Sequence, residues 1–334
     1  MTKWIFITGG CGYIGSHIAA HLKSTTDHSV MLIDKKAAVL PHVTKYCDLF
    51  ADEDLTSNVL LQAISSYRPD TIIHCAEDLG PTKSLLNPIS IWENNVIKSV
   101  ELLKYAAEFG INKFIFFSTA EVYANSDSPK NENCQLLPLK SNSRSKLSIE
   151  HLLRDCYIAH GISSISFRTF NVSGSHKLYD LGHLQDAPFL VPKMMESAAF
   201  GKKLEIFGND FNTRDGTAIR DYLHVMDLAE AVEQSIGWLD SNPGAYAMNL
   251  GSGTGTSVQE MVDLSESLLG KNLPYFYGNW RTGDPPISIA DISAIGNSIG
   301  WKPKRTNTDI ILDSYKWYSS RTYQETIAAG LRYD

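Results

Sequence analysis

Residues 8–15 read Thr8-Gly9-Gly10-Cys11-Gly12-Tyr13-Ile14-Gly15, and this stretch decides how the rest of the chain is read. Before it, Lys3-Trp4-Ile5-Phe6-Ile7-Thr8 is a short apolar, β-branched run that predicts a strand entering a tight turn. Behind it, Ile18, Ala19 and Leu22 share one helical face. The glycines therefore fall where a helix beginning near Tyr13 and Ile14 points its unbonded N–H groups at whatever lies above, and a pyrophosphate fits that place. Side chains at Gly9, Gly12 or Gly15 would hold the backbone off the phosphates or the helix off the sheet, which gives the spacing a physical reason.

A second buried-type strand, Ser29-Val30-Met31-Leu32-Ile33-Asp34, ends in a carboxylate about twenty residues on, as a dinucleotide fingerprint requires. Asp34 is placed to accept from the adenosine ribose hydroxyls. A carboxylate there repels a 2′-phosphate and so favours NAD over NADP, with Lys35 and Lys36 as the neighbouring charges that pull the other way.

Bulk properties narrow the class. A chain of 334 residues can build two lobes around a large core. The net charge is −7 without a basic run, so nucleic acid is not an expected partner. No apolar stretch approaches the roughly 18 residues of a membrane span, and the N-terminus reads directly into a strand rather than a signal peptide. Five cysteines, at positions 11, 47, 75, 134 and 156, form no CxxC pair, which predicts reduced thiols and a cytoplasmic protein.

Strands and helices then alternate, which predicts an α/β protein with a doubly wound parallel Rossmann sheet and a smaller α/β substrate-binding lobe. Thr71–Ala76 reads as a third strand and Lys113–Ser118 as the next. The helix after Pro88 is expected to bury Val96, Val100, Leu103 and Ala107, and a long helix is expected from about Arg144 to His160. Past Asn171 the segments become Gly-, Pro- and aromatic-rich. The expected division is a dinucleotide-binding domain over 1–171 with a return segment near 219–252, and a nucleotide-sugar lobe over 172–218 and 253–334.

The chain resembles the UDP-glucose 4-epimerase-like members of the extended short-chain dehydrogenase/reductase family. The resemblance is carried by residues 8–17, Asp48, Trp92-Glu93-Asn94-Asn95-Val96 and Phe170-Asn171. It is strongest in Ile206-Phe207-Gly208-Asn209-Asp210, running on through Asp215-Gly216-Thr217 to Arg220-Asp221-Tyr222-Leu223-His224-Val225, and it closes with Arg281-Thr282-Gly283-Asp284-Pro285 and Ala290-Asp291. It implies NAD as cofactor, with Asp48 and Leu49 near the adenine and Asn95 near the nicotinamide half. It also implies a nucleotide-diphosphate sugar, a UDP-hexose or UDP-N-acetylhexosamine, as small-molecule partner. Asn171 and Phe207 would contact it, Phe207 near the uracil; Arg220 and Arg281 would neutralise the diphosphate and Asp284 would hold the ribose. Two guanidinium groups offer phosphate oxygens forked donors where lysines would be point charges.

In the family a hydride leaves C4 of the sugar for NAD and returns to the opposite face. A tyrosine removes the hydroxyl proton, and a lysine four residues later, one helical turn away, lowers its pKa and binds the nicotinamide ribose, which assigns Lys146 to the cofactor as well. The corresponding residues here are Asn142-Ser143-Arg144-Ser145-Lys146. Lys146 is kept, but the carboxamide of Asn142 does not titrate near neutral pH. Thr119 matches the hydroxyl that bonds the sugar oxygen. Glu77 stands where a glycine admits the cofactor, so its side chain must swing aside or change the pocket. Phe189 replaces an asparagine and Thr169 an aromatic residue.

Three readings follow: an epimerase with a substitute base, such as Glu121, Tyr123 or a water on Asn142; a dehydratase using Glu121; or a binding protein that has lost turnover. Ser288 stands at a position where a small residue leaves room for an N-acetyl group. His17 and His21, four apart, lack a third ligand and predict no metal site. Tyr315, Trp317, Tyr318 and Tyr323 are expected to fix the last helix. A homodimer built on the helices around Asn94 and Lys146 is what the resemblance implies.

Overall fold

The computed structural model describes residues 3–35, 43–77, 87–125, 129–176, 181–281 and 283–332. Lys36 and Thr282, named above, lie outside the described residues. The chain forms two compact units: Met1–Ala124, Gln135–Thr169 and Ala229–Met248 make unit 1, and Asn125–Cys134, Phe170–Leu228 and Asn249–Asp334 make unit 2.

In chain order unit 1 begins with β1 (Trp4–Thr8), α1 (Tyr13–Thr25), β2 (Ser29–Asp34), β3 (Leu49–Asp52), α2 (Asn58–Tyr67) and β4 (Thr71–His74). There follow α3 (Pro88–Trp92), a π-helical turn (Glu93–Ile97), α4 (Lys98–Phe109), β5 (Lys113–Thr119), α5 (Ser141–His160) and β6 (Ser163–Thr169). Unit 2 then supplies β7 (Asn171–Ser173), α6 (Leu190–Phe200), β8 (Leu204–Phe207) and β9 (Ile219–His224). The chain returns through α7 (Val225–Ser241) and β10 (Ala245–Leu250). It ends with β11 (Gly255–Ser257), α8 (Val258–Leu269), β12 (Tyr275–Gly278), β13 (Ile287–Ser288), α9 (Ser293–Ile299), α10 (Asn307–Tyr318) and α11 (Arg321–Ala328).

Unit 1 is a seven-stranded sheet in the order β10-β6-β5-β4-β1-β2-β3, parallel from β3 through β6. The strands are apolar at successive positions because both faces are covered. Phe6, Met31, Ile33, Ile72, Phe114 and Phe116 pack under α2, α4 and α5 in one core cluster. The alternate residues Ile5, Ile7, Leu32, Ile73 and Ile115 are equally buried on the opposite face.

Of the helix face expected after Pro88, Leu103 is buried and Val96 and Ala107 pack against the core, whereas Val100 requires correction. The π turn at Glu93–Ile97 adds a residue and rotates the following helix by about 100°. Asn95, Ser99, Leu102, Leu103 and Ala106 consequently face inward, and Val100 is 41% exposed. The long helix begins at Ser141 rather than near Arg144, which brings Asn142 into its first turn.

In unit 2, β9 is paired with β7, β11 and β13, so residues 219–228 fall here and the segment returning to unit 1 is Ala229–Met248. Strands β8 and β12 form a separate parallel pair. Trp317, Tyr318 and Tyr323 are buried together, with ring centroids 4.5–5.5 Å apart around Tyr323. Tyr315 instead lies under the Lys271 ammonium. No described helix is long and apolar enough to cross a membrane.

Candidate active site

The turn after β1 is built as its glycines imply. Gly9 has φ +62°, and a Cβ there would stand 2.6 Å from the backbone nitrogen of Ala76; one on Gly15 would meet the Gly9 carbonyl at 2.4 Å. Gly12 donates to the Gly9 carbonyl (3.0 Å) and is the N-cap of α1 without contributing a side-chain bond. The Tyr13–Ile14 end of α1 is thus left without a side-chain cap, and its positive pole suits an anion.

At the end of β2, Asp34 is oriented by two main-chain donors, Cys11 N at 3.0 Å and Lys35 N at 2.8 Å. The Lys35 ammonium is paired with Asp54, which also binds Lys98. Burial, together with Asp34 and Cys47 nearby, pushes the Cys11 thiol up, so this turn carries no thiolate.

Asp48 and Leu49 are at the wrong end of the sheet for the role expected of them. The register sets Met31 opposite Leu49 and Asp34 opposite Asp52, so Leu49 opens β3 and stands three residues, about 10 Å, from the rim that Asp34 marks. The Asp48 carboxylate is spent on Val30 N (2.8 Å) and Lys23 (2.9 Å). Ligands of such sheets gather at the carboxyl ends of the strands. Asp52 is the acidic residue there, and its signal was an apolar run ending in aspartate, the same pattern that marked Asp34.

Beside this turn a buried chain of polar groups joins β1, β4 and the π turn. Thr8 Oγ1 lies 2.7 Å from His74 Nδ1, His74 Nε2 lies 2.8 Å from Ser99 Oγ, and Ser99 donates to the Asn95 carbonyl at 2.6 Å. Because Ser99 uses its proton on that carbonyl, His74 Nε2 donates to Ser99 and Nδ1 accepts from Thr8. Burial, reinforced by the Lys146 charge, pushes His74 down to about 3 and keeps it neutral. The π turn aims Asn95 at α5, where its amide donates to Asn142 Oδ1 (3.0 Å) and meets Ser145 Oγ (3.4 Å).

Helix α5 is fastened to the sheet by Glu150. Its carboxylate binds Arg168 of β6, with Nη2 at 2.6 Å, and accepts from Ser118 of β5; Arg168 also donates to the Tyr123 phenol at 3.0 Å. One turn earlier on the helix, Lys146 is ion-paired with Glu77, and the two side chains are 5% and 14% exposed. This is how Glu77 is accommodated: it swings toward α5.

Thr119 ends β5 in register with Thr169 and accepts from Glu121 N at 3.2 Å; Thr169 is tied to the Ser118 carbonyl at 3.0 Å. Glu121 is 47% exposed and paired with Lys140 at 2.8 Å. The sequence singled out Thr119, Thr169, Glu121, Asn142, Lys146 and Glu77, but not Glu150, Arg168, Lys140, His74 or Ser99, nor the pairing of Glu77 with Lys146, because these contacts join residues on different elements.

Unit 2 brings together part of the other expected group, Phe207, Arg281 and Asp284. The Arg281 guanidinium lies 3.8 Å above the Phe207 ring, and Asp284 N donates to the Arg281 carbonyl at 3.1 Å. Arg220 sits opposite Ser288 in the β9–β13 register and donates to the Ile219 carbonyl at 2.9 Å. The next residue, Asp221, is buried and accepts from Ser252 N, Ser252 Oγ, Gly253 N and Ala290 N. It therefore locks the strand that presents Arg220, a positioning role the sequence reading did not assign. Asn171 is exposed at the start of β7, opposite Tyr222, and Phe189 packs against the His183 ring at 5.5 Å.

His17 bonds the Tyr13 carbonyl (2.7 Å) and His21 bonds Glu233 (2.6 Å); among the described residues no cluster of three metal-ligating side chains occurs.

A parallel sheet wound on both faces, a glycine turn capping nothing at its first helix and an oriented carboxylate after the second strand define a dinucleotide-binding protein of the extended short-chain dehydrogenase/reductase class. Comparison with known proteins narrows this. The chain belongs to the NAD dependent epimerase/dehydratase family, whose profile matches residues 5–251. It is 33% identical to the UDP-glucose 4-epimerase of Azospirillum brasilense over 95% of this chain and 92% of that protein. Its fold matches the UDP-glucose-4-epimerase of Stenotrophomonas maltophila, solved with bound NAD and formylated UDP-arabinopyranose, at a TM-score of 0.91 and 28% identity, covering 98% of this chain and 100% of that one. The UDP-Glc/GlcNAc 4-epimerase of Campylobacter jejuni matches at 0.80 and 32% identity, covering 95% and 99%.

Proposed function

We propose that this chain is an NAD-dependent UDP-sugar 4-epimerase. The observation that carries the reading is the bare main-chain turn of Gly9, Gly12 and Gly15 beside the oriented Asp34. In it, the amides at the start of α1, including Tyr13 and Ile14, receive the pyrophosphate, and Asp34 takes the ribose hydroxyls. Asp52 rather than Asp48 faces the adenine end, and Asn95 orders the nicotinamide end. When bound, NAD supplies a reversible acceptor for the hydrogen on the sugar carbon. Thr119 holds the reacting oxygen, while in unit 2 Phe207, Arg281, Arg220 and Asp284 hold the nucleotide, with Asn171 toward the sugar. Ser288 favours an N-acetylhexosamine among the substrates, in line with a structural relative whose described substrates include UDP-GlcNAc.

The test is to denature the purified protein, identify released dinucleotide by mass, and follow interconversion of UDP-glucose with UDP-galactose and of the corresponding N-acetylhexosamines. A second reading, a protein that binds NAD and a nucleotide sugar without turnover, is favoured by the commitment of Asn142 to Asn95. It predicts retained NAD with no interconversion of any sugar. A dehydratase using Glu121 is supported less, because that carboxylate is half exposed and paired with Lys140.

The exposed Ile89, Trp92, Ile97 and Val100 on α3 through α4, with Ile158 on α5, support a homodimer through these helices, measurable by light scattering. Five free cysteines accord with a cytoplasmic setting.

A further inference from the structure

We propose that Glu77 is the side chain that takes and returns the proton of the reacting sugar hydroxyl, with Lys146 holding it ionised. This rests on the epimerase reading and adds to it the identity of the proton acceptor. Oxidising a secondary alcohol breaks an O–H bond as well as a C–H bond, so turnover at neutral pH needs an acceptor within reach.

The other candidates at the carboxyl end of the sheet are engaged elsewhere or lack basicity. Asn142 is a carboxamide, and its oxygen accepts from Asn95. Thr119 is an alcohol whose oxygen accepts from Glu121 N. Glu121 turns to Lys140, and the Tyr123 phenol is held by Arg168. His74 is enclosed, its two ring nitrogens used by Thr8 and Ser99.

Glu77 shares a lysine partner with Glu121 but differs from it in burial and in its place on the chain. It follows Ala76, the residue against whose backbone Gly9 packs, so it leaves β4 immediately beside the dinucleotide turn. Its carboxylate reaches across to the Lys146 ammonium on α5, and little of either side chain is in water.

In the step proposed, the sugar O–H bond breaks and its proton forms an O–H bond on Glu77, leaving a neutral carboxyl beside Lys146. The electron pair left on oxygen becomes the second bond of the ketone as the carbon-bound hydrogen departs with its own pair to the nicotinamide. The reverse transfer restores the hydroxyl and the carboxylate. A carboxylate stabilised by an ammonium is a weak base, so turnover is slow.

The experiment compares the full-length protein with Glu77→Gln, Glu77→Asp and Lys146→Met. It measures released NAD, melting temperature, UDP-sugar epimerisation, and the titration of ¹³C-labelled glutamate carboxyls assigned by the Glu77 variants. The expected result is that Glu77→Gln keeps its NAD and its fold but loses at least about 100-fold in epimerisation. Glu77→Asp should retain part of the rate. The Glu77 resonance should titrate about one pH unit higher in Lys146→Met. Epimerisation by Glu77→Gln within about threefold of the unmodified protein overturns the proposal, as does a Glu77 titration indifferent to Lys146→Met. If Glu77→Gln does not fold, the aspartate variant and the titration decide. An unmodified protein that epimerises no UDP-sugar removes the epimerase reading and this proposal with it; an active one with an equally active Glu77→Gln removes this proposal alone.

Discussion

The two ends of the unit 1 sheet differ in what they leave available to a ligand, although both carry ion pairs. At the amino ends of the strands, charges are paired with one another: Lys3 with Asp70 (3.2 Å) and Asp240 (3.3 Å), Lys113 with Asp70 (2.7 Å) and Asp240 (2.5 Å), and Lys23 with Asp48 (2.9 Å). At the carboxyl ends the chain presents an uncapped helix pole, Asp34 held by main-chain donors, Asp52, the Glu77–Lys146 pair and Thr119. The contrast separates stability from chemistry. A closed network of paired charges has little left for a ligand, whereas bare amides and oriented carboxylates are costly to desolvate alone and gain from one.

The largest effect that could break this contrast is expected from Gly9→Val. A side chain at φ +62° that also meets the Ala76 backbone should weaken NAD retention by more than about 100-fold, read as dinucleotide released per protein. Retained NAD in a folded variant would mean that the bare turn is not the phosphate site.

Next in size is Arg168→Leu, which strands the buried Glu150 carboxylate behind α5. It should cost about 3–5 kcal/mol in chemical denaturation, since breaking a buried pair leaves an uncompensated charge. A loss below about 1 kcal/mol would show that α5, and Lys146 with it, is positioned by packing alone.

Acid should weaken the amino-end network. Burial pushes the Asp70 carboxyl up, but hydrogen bonds and charge from Lys113 and Lys3 outweigh it and hold the group below the usual range; Asp240 is held low in the same way. A depressed folded pKa gives stability that is present above the unfolded value and lost as pH falls through the folded one. The melting temperature should therefore drop below about pH 4, and Lys113→Met should flatten that dependence. An unchanged acid slope would count against the network as a source of stability.

The smallest effect is expected from Asp48→Asn, which should alter NAD retention by less than about twofold, while Asp52→Asn lowers it several-fold. The opposite order would restore Asp48 to the adenine site.

Most of the fold was legible because its signals are local. Glycines at a turn, β-branched runs and apolar spacing act through φ/ψ preferences and burial within a few residues, and these produced β1, the turn, α1 and β2 with Asp34. Where the reading failed, the cause was a pairing or a register. Asp48 was misplaced because the distance of a carboxylate from a rim depends on how β3 aligns with β2. Val100 was misplaced on α4, although Leu103 and Ala107 do pack inward, because a π turn that buries Asn95 is invisible to a 3.6-residue period. Residues 219–224 read as part of the return to unit 1 but pair with strands of unit 2.

By itself the sequence determined that a glycine turn of the dinucleotide-binding type opens a two-face-covered parallel sheet, that segments resembling those of UDP-glucose 4-epimerases follow in order, and that no tyrosine stands four residues before Lys146. Only the tertiary structure decided what Lys146 faces instead. Glu77 and Lys146 lie on different elements, and whether a buried carboxylate and a buried ammonium meet is settled by how α5 docks on the sheet, where leaving either charge alone would cost several kcal/mol.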